Sequence, residues 1–386
     1  MAEEKAKKRT TKKVDESLSA EVSETSSKEV ETKQKETKSE VKSTSKKIAE
    51  KKAKEKTSKA KKTTTKKTTE EAPVESDKAE EAKTTKKKSA KEEKIYDILQ
   101  VEGYHHLKLY TYVFDNVQNP KAIVLIVHGM MEHAGRYLNF AKYLNENGYI
   151  VVANDLRGHG HSAIDKKYGY GEKDIFFESV QDEIIILEKL KDAYNLPIYL
   201  LGHSYGSMLS QAIIQNTNIV EKCVLCGTAN GSSGIMKSGS GLAKFLSFFK
   251  NEKADGGFIE KMCIKNYGKK FENGNWLTRD NAVFEAYNKD EFCGGSFPFS
   301  FYKSMLTNMS KMNSGVNRIG RKKIFLIAGS EDPVGSKGKQ VEALNKFYLK
   351  NNVDSRCKIY PECRHELLNE LNKDEVYADI VEFFDN

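Results

Sequence analysis

The first quarter of the chain lacks the residues from which a folded core is built. Residues 1–94 contain no aromatic residue, glycine, cysteine or histidine, and their only proline is Pro73. They hold 29 lysines and arginines against 20 aspartates and glutamates, and this net charge of +9 equals that of the whole 386-residue chain. A segment with so little apolar surface cannot offset the entropy cost of ordering. We therefore expect a disordered basic tail, and not a basic folded domain that binds DNA.

Long apolar runs are also absent. Residues 1–13 are charged without a following apolar stretch, so the sequence predicts no secretory signal, and no run has the length of a membrane span. We expect a cytoplasmic protein, at most peripheral at a membrane, whose six cysteines remain thiols. Cys223 and Cys226 have CxxC spacing but lie in an apolar run, so we interpret them as core thiols and not as metal or redox ligands.

The rest of the chain, residues 95–386, carries 35 basic and 35 acidic residues and all the aromatic ones. Short apolar runs alternate there with amphipathic stretches of helical spacing, which indicates βαβ repetition. The pattern predicts strands at 122–127, 149–153, 198–201, 223–226, 323–328 and 358–360, and helices at 135–147, 178–193, 205–215, 339–349 and 376–384. Antiparallel strands are expected within 94–116. The predicted fold class is α/β, a mostly parallel sheet with helices on both faces.

The alternation stops between about 228 and 321. This stretch begins rich in glycine and serine, continues with an aromatic helical segment at 242–250, and contains the single tryptophan, Trp276. It is either a second packing unit with its own aromatic core or a cap that supplies an apolar pocket. We favour an inserted cap that touches substrate, because ligands of such folds bind beyond the carboxyl ends of the strands.

The sequence GHSYG at 202–206 is the strongest chemical signal. A GxSxG pattern alone is weak evidence, but this one follows an apolar strand and precedes a helix, the setting of a nucleophile elbow. The tight turn would expose the hydroxyl of Ser204, and the flanking glycines would allow helix and strand to approach closely. We predict Ser204 as a nucleophile.

A serine hydroxyl needs a base, and in elbow-containing folds the triad runs serine, acid, histidine along the chain. His365 is the only histidine after Ser204, so it is the predicted base. Asp332, after the strand at 323–328, is the favoured carboxylate that would orient it. Glu331, Asp280 and Asp290 remain as competitors.

Two backbone amides should stabilise the oxyanion. One is predicted at Tyr205, directly after the nucleophile, and the other at Met130, in the loop after the first parallel strand. His128, His159 and His161 are interpreted as residues that shape loops.

Several motifs occur together in order: HGMMEHAGRY at 128–137, DLRGHGHS at 155–162, GHSYG, GSED at 329–332 and RHELLNE at 364–370. From about residue 100 to the end, the chain resembles the monoacylglycerol lipase and lysophospholipase group of α/β-hydrolases, which is also classed with the serine aminopeptidases. The resemblance implies the triad Ser204, Asp332 and His365, the oxyanion donors Met130 and Tyr205, and ester cleavage through an acyl-enzyme with no metal or organic cofactor.

The first functional hypothesis is therefore a serine esterase acting on a single-chain lipid. A peptidase or amidase using the same triad is an alternative, although the residues 128–131 depart from the Gly-Gly-Pro-rich loop of prolyl aminopeptidases. A non-enzymatic scaffold whose tail binds anions is a third possibility. The lysine runs of the tail could contact an anionic membrane surface or nucleic acid, or could be a solvated spacer. The absence of aromatic residues for base stacking favours the membrane.

Overall fold

The computed structural model describes residues 95–231, 234, 238–241, 254–257 and 266–386. The expected tail, residues 1–94, and the helical stretch expected at 242–250 lie outside the described residues.

Eight strands in the described part of the chain form one sheet. Their bounds are Asp97–Glu102 (β1), Lys108–Phe114 (β2), Ala122–Val127 (β3), Tyr149–Asn154 (β4), Ile198–His203 (β5), Val220–Cys226 (β6), Lys323–Gly329 (β7) and Ser355–Tyr360 (β8). Their order across the sheet is β1-β2-β4-β3-β5-β6-β7-β8. The β1–β2 and β2–β4 pairs are antiparallel and all other pairs are parallel. The predicted mostly parallel sheet with antiparallel strands at its start is confirmed.

The five helices predicted from the alternation are present, and two further long helices lie within 228–321, where the alternation stops. Their bounds are Leu138–Glu146 (α1), Ile175–Ala193 (α2), Tyr205–Asn216 (α3), Asn281–Lys289 (α4), Phe299–Met309 (α5), Lys339–Lys350 (α6) and Lys373–Asp385 (α7). Helix α2 begins three residues before the predicted start, because the Asp174 side chain accepts a hydrogen bond from the Phe177 amide and caps the helix. None of the helices described has the length and apolar character needed to cross a lipid bilayer.

Apolar side chains are buried on both faces of the sheet. Val124 and Leu125, neighbours on β3, belong to opposite clusters, as expected for a strand with both faces covered. One cluster includes residues of α2, α3, α5 and α6, and the other includes residues of α1 and α7. Cys223 and Cys226 are fully buried free thiols within this core.

The stretch between β6 and β7, residues 227–322, we call the β6–β7 segment. Its late aromatic residues pack in the same cluster as the sheet and do not form a separate aromatic core; they are Phe297, Phe299, Phe301 and Tyr302. Helix α4, in contrast, has no buried residue. The described part of the segment is therefore anchored in the main core through α5.

Candidate active site

Ser204 occupies a strained turn between β5 and α3. Its backbone has φ 51° and ψ −117°, a conformation that residues with a Cβ rarely adopt. A Cβ at Gly206 would lie 2.0 Å from the Val127 carbonyl oxygen, and one at Gly202 would lie 2.3 Å from the Ser210 Oγ. Only glycine permits these approaches, so the two glycines let α3 begin directly against β3 and β5.

His365 and Asp332 lie in the loops that follow β8 and β7. The His365 Nδ1 is 3.0 Å from the Asp332 Oδ1, and the two side chains are 2% and 0% exposed. The two atoms are within ion-pair distance, although their alignment falls outside hydrogen-bond geometry. The Asp332 Oδ1 also accepts a hydrogen bond from the Val334 amide at 2.8 Å, which fixes the carboxylate. Asp332 is thus placed to orient the His365 ring.

The other ring nitrogen of His365 is available for proton transfer. Its Nε2 is buried and has no hydrogen-bond partner among the described residues. The ring stands between Trp276 and His203, with centroid separations of 5.1 and 4.9 Å. Ser204 and His365 line the same cavity. Ser204 is not hydrogen-bonded to Nε2 here; catalytic hydrogen bonds often tighten only when substrate is bound.

The competing carboxylates are engaged elsewhere. Glu331 forms an ion pair with Lys337 at 2.5 Å. Asp280 caps α4 by accepting hydrogen bonds from two backbone amides. Asp290 lies 2.9 Å from the Nε2 of His133. The geometry therefore favours Asp332 as the partner of His365.

The predicted oxyanion donors lie beside Ser204. Met130 and Tyr205 both line the cavity that contains Ser204. Tyr205 is the first residue of α3, so its amide has no acceptor within the helix. A Cβ at Gly129 would lie 3.2 Å from the Ser204 Cβ, which shows how closely the loop after β3 approaches the nucleophile.

A buried ionic network beneath the site was not anticipated from the sequence. The Arg136 guanidinium donates two hydrogen bonds to the Glu366 carboxylate, at 2.8 and 2.7 Å, and one to Glu132 at 2.6 Å. Glu132 in turn accepts from the Gly129 amide at 2.6 Å and contacts the His203 Nδ1 at 3.1 Å. The network joins the loop after β3, the elbow and the loop of His365.

Opposite charges in this network stabilise the ionised forms of Glu366 and His203. Burial opposes ionisation of Glu366, but the Arg136 charge prevails and lowers the pKa of Glu366. Burial likewise opposes protonation of His203, but its hydrogen bond with Glu132 prevails and raises the pKa of His203. The one signal in the sequence was the i,i+4 spacing of Glu132 and Arg136 within the first motif.

Of the three histidines interpreted as loop-shaping, His128 and His159 make short contacts with the backbone, whereas the His161 ring lies 3.1 Å from the Asp155 carboxylate. The His128 Nε2 accepts a hydrogen bond from the Leu156 amide at 2.9 Å, and its Nδ1 lies 2.7 Å from the Gly129 carbonyl oxygen. Burial lowers the pKa of His128 to about 4, so the ring is neutral and donates from Nδ1. Burial lowers the pKa of His159 to about 3.

Within the described residues, one group of side chains has metal-ligating composition. Single ligand atoms of His133, Asp290 and Cys293 lie within 4.8 Å of one another. However, the Nδ1 of His133 accepts a hydrogen bond from the Gly135 amide, which places the ring proton on Nε2. A metal-bound histidine normally donates its second ring N–H. We therefore interpret the His133–Asp290 contact as a hydrogen bond and not as part of a metal centre.

The cavity above Ser204 has a volume of about 940 Å³. Methionine and aromatic side chains form much of its wall; they include Met130, Met131, Met208, Met305, Trp276 and Tyr302. Such a wall is apolar and, because methionine is flexible, able to adapt to differently shaped apolar ligands. The site thus combines the predicted nucleophile, a histidine–carboxylate pair and an apolar cavity.

Comparison with known proteins agrees with this geometry. Residues 118–372 match the sequence model of the serine aminopeptidase, S33, family. The chain belongs to this family. The matched region begins just before β3, ends just before α7 and includes every predicted site residue. The resemblance predicted from the motifs is thereby confirmed at the level of the family.

Individual relatives cover the same region. The chain is 25% identical over 278 residues to a monoglyceride lipase homolog of monkeypox virus, covering 71% of this chain and 91% of the relative. It is 26% identical over 269 residues to a monoacylglycerol lipase of Mycolicibacterium smegmatis, covering 68% and 88%. A thermostable carboxyl esterase from Bacillus coagulans, crystallised with glycerol, has a similar structure, with a TM-score of 0.69, 25% identity, and coverage of 75% and 98%. These findings confirm the predicted α/β-hydrolase fold. They also show that the chain is a hydrolase.

Proposed function

We propose that the chain cleaves carboxylic esters of single-chain lipids, such as monoacylglycerols or lysophospholipids, through an acyl-enzyme on Ser204. The observation that carries the proposal is that Ser204 opens into an apolar cavity of about 940 Å³. His365, which is paired with Asp332, lines the same cavity. The lipases and esterase among the similar proteins support ester cleavage.

The positions of Ser204, His365 and Asp332 support the following mechanism as part of this proposal. The Nε2 of His365 takes the proton of the Ser204 hydroxyl as the oxygen attacks the ester carbonyl carbon. The amides of Met130 and Tyr205 would donate hydrogen bonds to the resulting oxyanion. His365 then protonates the departing alkoxide, and a water molecule, activated by the same ring, releases the fatty acid. Asp332 stabilises the imidazolium that forms in each half-reaction.

The cavity supports an acyl chain as the ligand. Its volume of about 940 Å³ lies near the upper end of the range for small-molecule sites. Each methylene buried against an apolar wall contributes about 0.8 kcal/mol, which is roughly a fourfold gain in kcat/KM if the contact persists in the transition state. With p-nitrophenyl esters, kcat/KM should rise with chain length beyond butyrate. A strong preference for the acetyl ester would refute a lipid substrate.

The nucleophile is tested separately from the substrate. A fluorophosphonate probe should label the wild-type protein at Ser204, and Ser204→Ala should lose labelling and about 10⁶ in kcat. Ser314→Ala, at an exposed serine on the β6–β7 segment, is the matched control and should retain both. Labelling of Ser204→Ala at the wild-type rate would refute the assignment.

A peptidase or amidase activity is the second candidate, favoured by the family description itself. The same triad and oxyanion donors could attack an amide bond. Amino acid p-nitroanilides provide the test: turnover with a kcat/KM equal to that of the lipid esters would favour this candidate over the first.

The β6–β7 segment and the tail complete the proposal. We assign the segment, with its cavity-lining Trp276, Tyr287 and Tyr302, the role of a cap over the acyl slot. For the tail, with its 29 basic residues, we propose weak binding to anionic lipid surfaces, where such a substrate is found. Cosedimentation with phosphatidylserine vesicles, compared with neutral phosphatidylcholine vesicles, should depend on residues 1–94 and weaken with salt. Equal binding without them would refute this role.

A further inference from the structure

The loop after β3, residues 128–132, which we call the oxyanion loop, contains a backbone conformation that needs an explanation. Met131 has a φ of 59°, in the left-handed region that disfavours any residue with a Cβ. Its side chain is buried, only 7% exposed. A strained conformation of this kind persists only when surrounding contacts enforce it. The contacts of Met131 should therefore show what holds the loop.

The Met131 carbonyl oxygen is held by a distant part of the chain. It accepts hydrogen bonds from the Gly294 amide at 2.9 Å and from the Tyr287 hydroxyl at 3.1 Å. The Gly294 amide also lies 3.1 Å from the Tyr287 hydroxyl oxygen, so the three groups form one compact cluster. A further link joins the same two regions, because the Nε2 of His133 lies 2.9 Å from the Asp290 Oδ2. The stretch from α4 to Gly294 thus holds the oxyanion loop at Met131 and binds the residue directly after the loop, His133.

These contacts bracket the proposed oxyanion donor. On one side of Met130, the Gly129 amide donates to the Glu132 carboxylate at 2.6 Å. On the other side, the Met131 carbonyl is bound by Tyr287 and Gly294. The amide of Met130 lies between two anchored backbone groups, so its direction depends on both anchors.

Tyr287 is well suited to be an anchor. Its ring lies beneath the Arg136 guanidinium, with 4.8 Å between the guanidinium carbon and the ring centroid. Burial raises the pKa of the Tyr287 hydroxyl above its ordinary value, so this group remains a donor at any pH at which an esterase works. The ring is therefore fixed by Arg136 while the hydroxyl points at the loop.

We propose that Tyr287 is a positioning residue for the oxyanion hole. Its hydroxyl, together with the Gly294 amide, holds Met131 in the left-handed conformation and thereby keeps the Met130 amide directed at the reacting carbonyl. The inference rests on the proposed function of Ser204 and deepens it. The β6–β7 segment then does more than line the cavity. Its position determines whether the oxyanion loop can direct the Met130 amide at the substrate.

The kinetic test is Tyr287→Phe, which keeps the ring against Arg136 and removes only the hydroxyl. With p-nitrophenyl butyrate we expect kcat to fall about 10-fold to 100-fold with KM little changed, less than the 10²–10³ typical for loss of a direct donor. Affinity for a butyl boronic acid, whose tetrahedral adduct needs the oxyanion hole, should fall by the same factor as kcat/KM. The control is Tyr143→Phe, on α1, where tyrosine packs against Tyr377. A raised KM with unchanged kcat would show that Tyr287 is only cavity wall.

A second measurement does not depend on activity. Amide hydrogen exchange in a peptide covering residues 128–133 should be faster in Tyr287→Phe than in wild type, at equal global stability by thermal unfolding. Unchanged exchange would overturn the positioning role even if no substrate were found. If Ser204 is labelled by a fluorophosphonate equally fast in both proteins, the positioning role fails while the hydrolase assignment stands. If wild-type protein is not labelled at Ser204, the proposed function fails, and the exchange experiment still decides the role of Tyr287.

Discussion

Gly227, the residue directly after β6, lies against the predicted catalytic base. A Cβ at this position would lie 2.9 Å from the Cε1 and 3.0 Å from the Nδ1 of His365. Gly227 also has a φ of 59°, in the left-handed region. Gly227→Ala therefore imposes two separate penalties, one on the backbone and one on the His365 ring.

Both penalties can be estimated. The left-handed conformation costs an alanine about 1–2 kcal/mol of stability. Carbon atoms pack at about 3.5–4.0 Å, so the His365 ring must shift by roughly half an ångström or more to accept the methyl group. A misplacement of about 1 Å in a catalytic constellation can reduce the rate by about 10². We expect Gly227→Ala to lower kcat about 10-fold to 100-fold, although it removes no catalytic atom.

Gly320→Ala is the matched control. Gly320 has a φ of 69°, and a Cβ there would meet no heavy atom within 4 Å. Its backbone penalty should equal that of Gly227→Ala, while kcat should stay at the wild-type value. The assay is hydrolysis of p-nitrophenyl butyrate, with thermal unfolding of both variants. If Gly227→Ala is as active as Gly320→Ala, the reasoning that His365 is confined by Gly227 is wrong.

Two further predictions concern buried carboxyl groups. Asp332→Asn should lower kcat by about 10⁴ with an unchanged fold, because an amide does not stabilise the imidazolium of His365. Turnover near the wild-type rate would mean that another group orients His365. Burial raises the pKa of Glu183 to about 8, well above its ordinary 4.5, while the Asn154 amide donates to it at 2.8 Å. The unfolded chain therefore releases this proton near pH 4.5 and the folded protein only near pH 8, so stability declines between these values, by up to a few kcal/mol. Glu183→Gln should remove that decline, seen as a gain in melting temperature over wild type that grows from pH 5 to pH 8.5; a gain independent of pH would contradict it.

The sequence was most informative where the cause of structure is local. Apolar runs located the strands, and the strand–turn–helix setting of GHSYG predicted the turn at Ser204. The start of α2 was misplaced because the cap at Asp174 outweighs the apolar periodicity on which the prediction relied. These features depend on neighbours within a few residues.

The remainder depends on contacts between distant residues. Arg136 and Glu366 are 230 positions apart, and Met131 and Tyr287 are 156 apart. Arg136, Met131 and Glu366 lie within the quoted motifs, but nothing in one sequence indicates their partners, since these meet only after the sheet and its loops have formed. The spacing of Glu132 and Arg136 could suggest a helical pair, but not a buried network shared with His203.

Helix α5 both lines the cavity and packs in the main core, and this limits how the ligand preference of the enzyme can change. Its residues Tyr302, Met305 and Leu306 face the cavity and also belong to the main apolar cluster. A replacement there that reshapes the cavity would also disturb the packing that holds the sheet together. Helix α4 has no part in that packing, because none of its side chains belongs to either apolar cluster; its Tyr287 instead binds the oxyanion loop. New ligand preferences should therefore arise more readily through changes on α4 away from Tyr287, while the packing of the sheet restricts changes on α5.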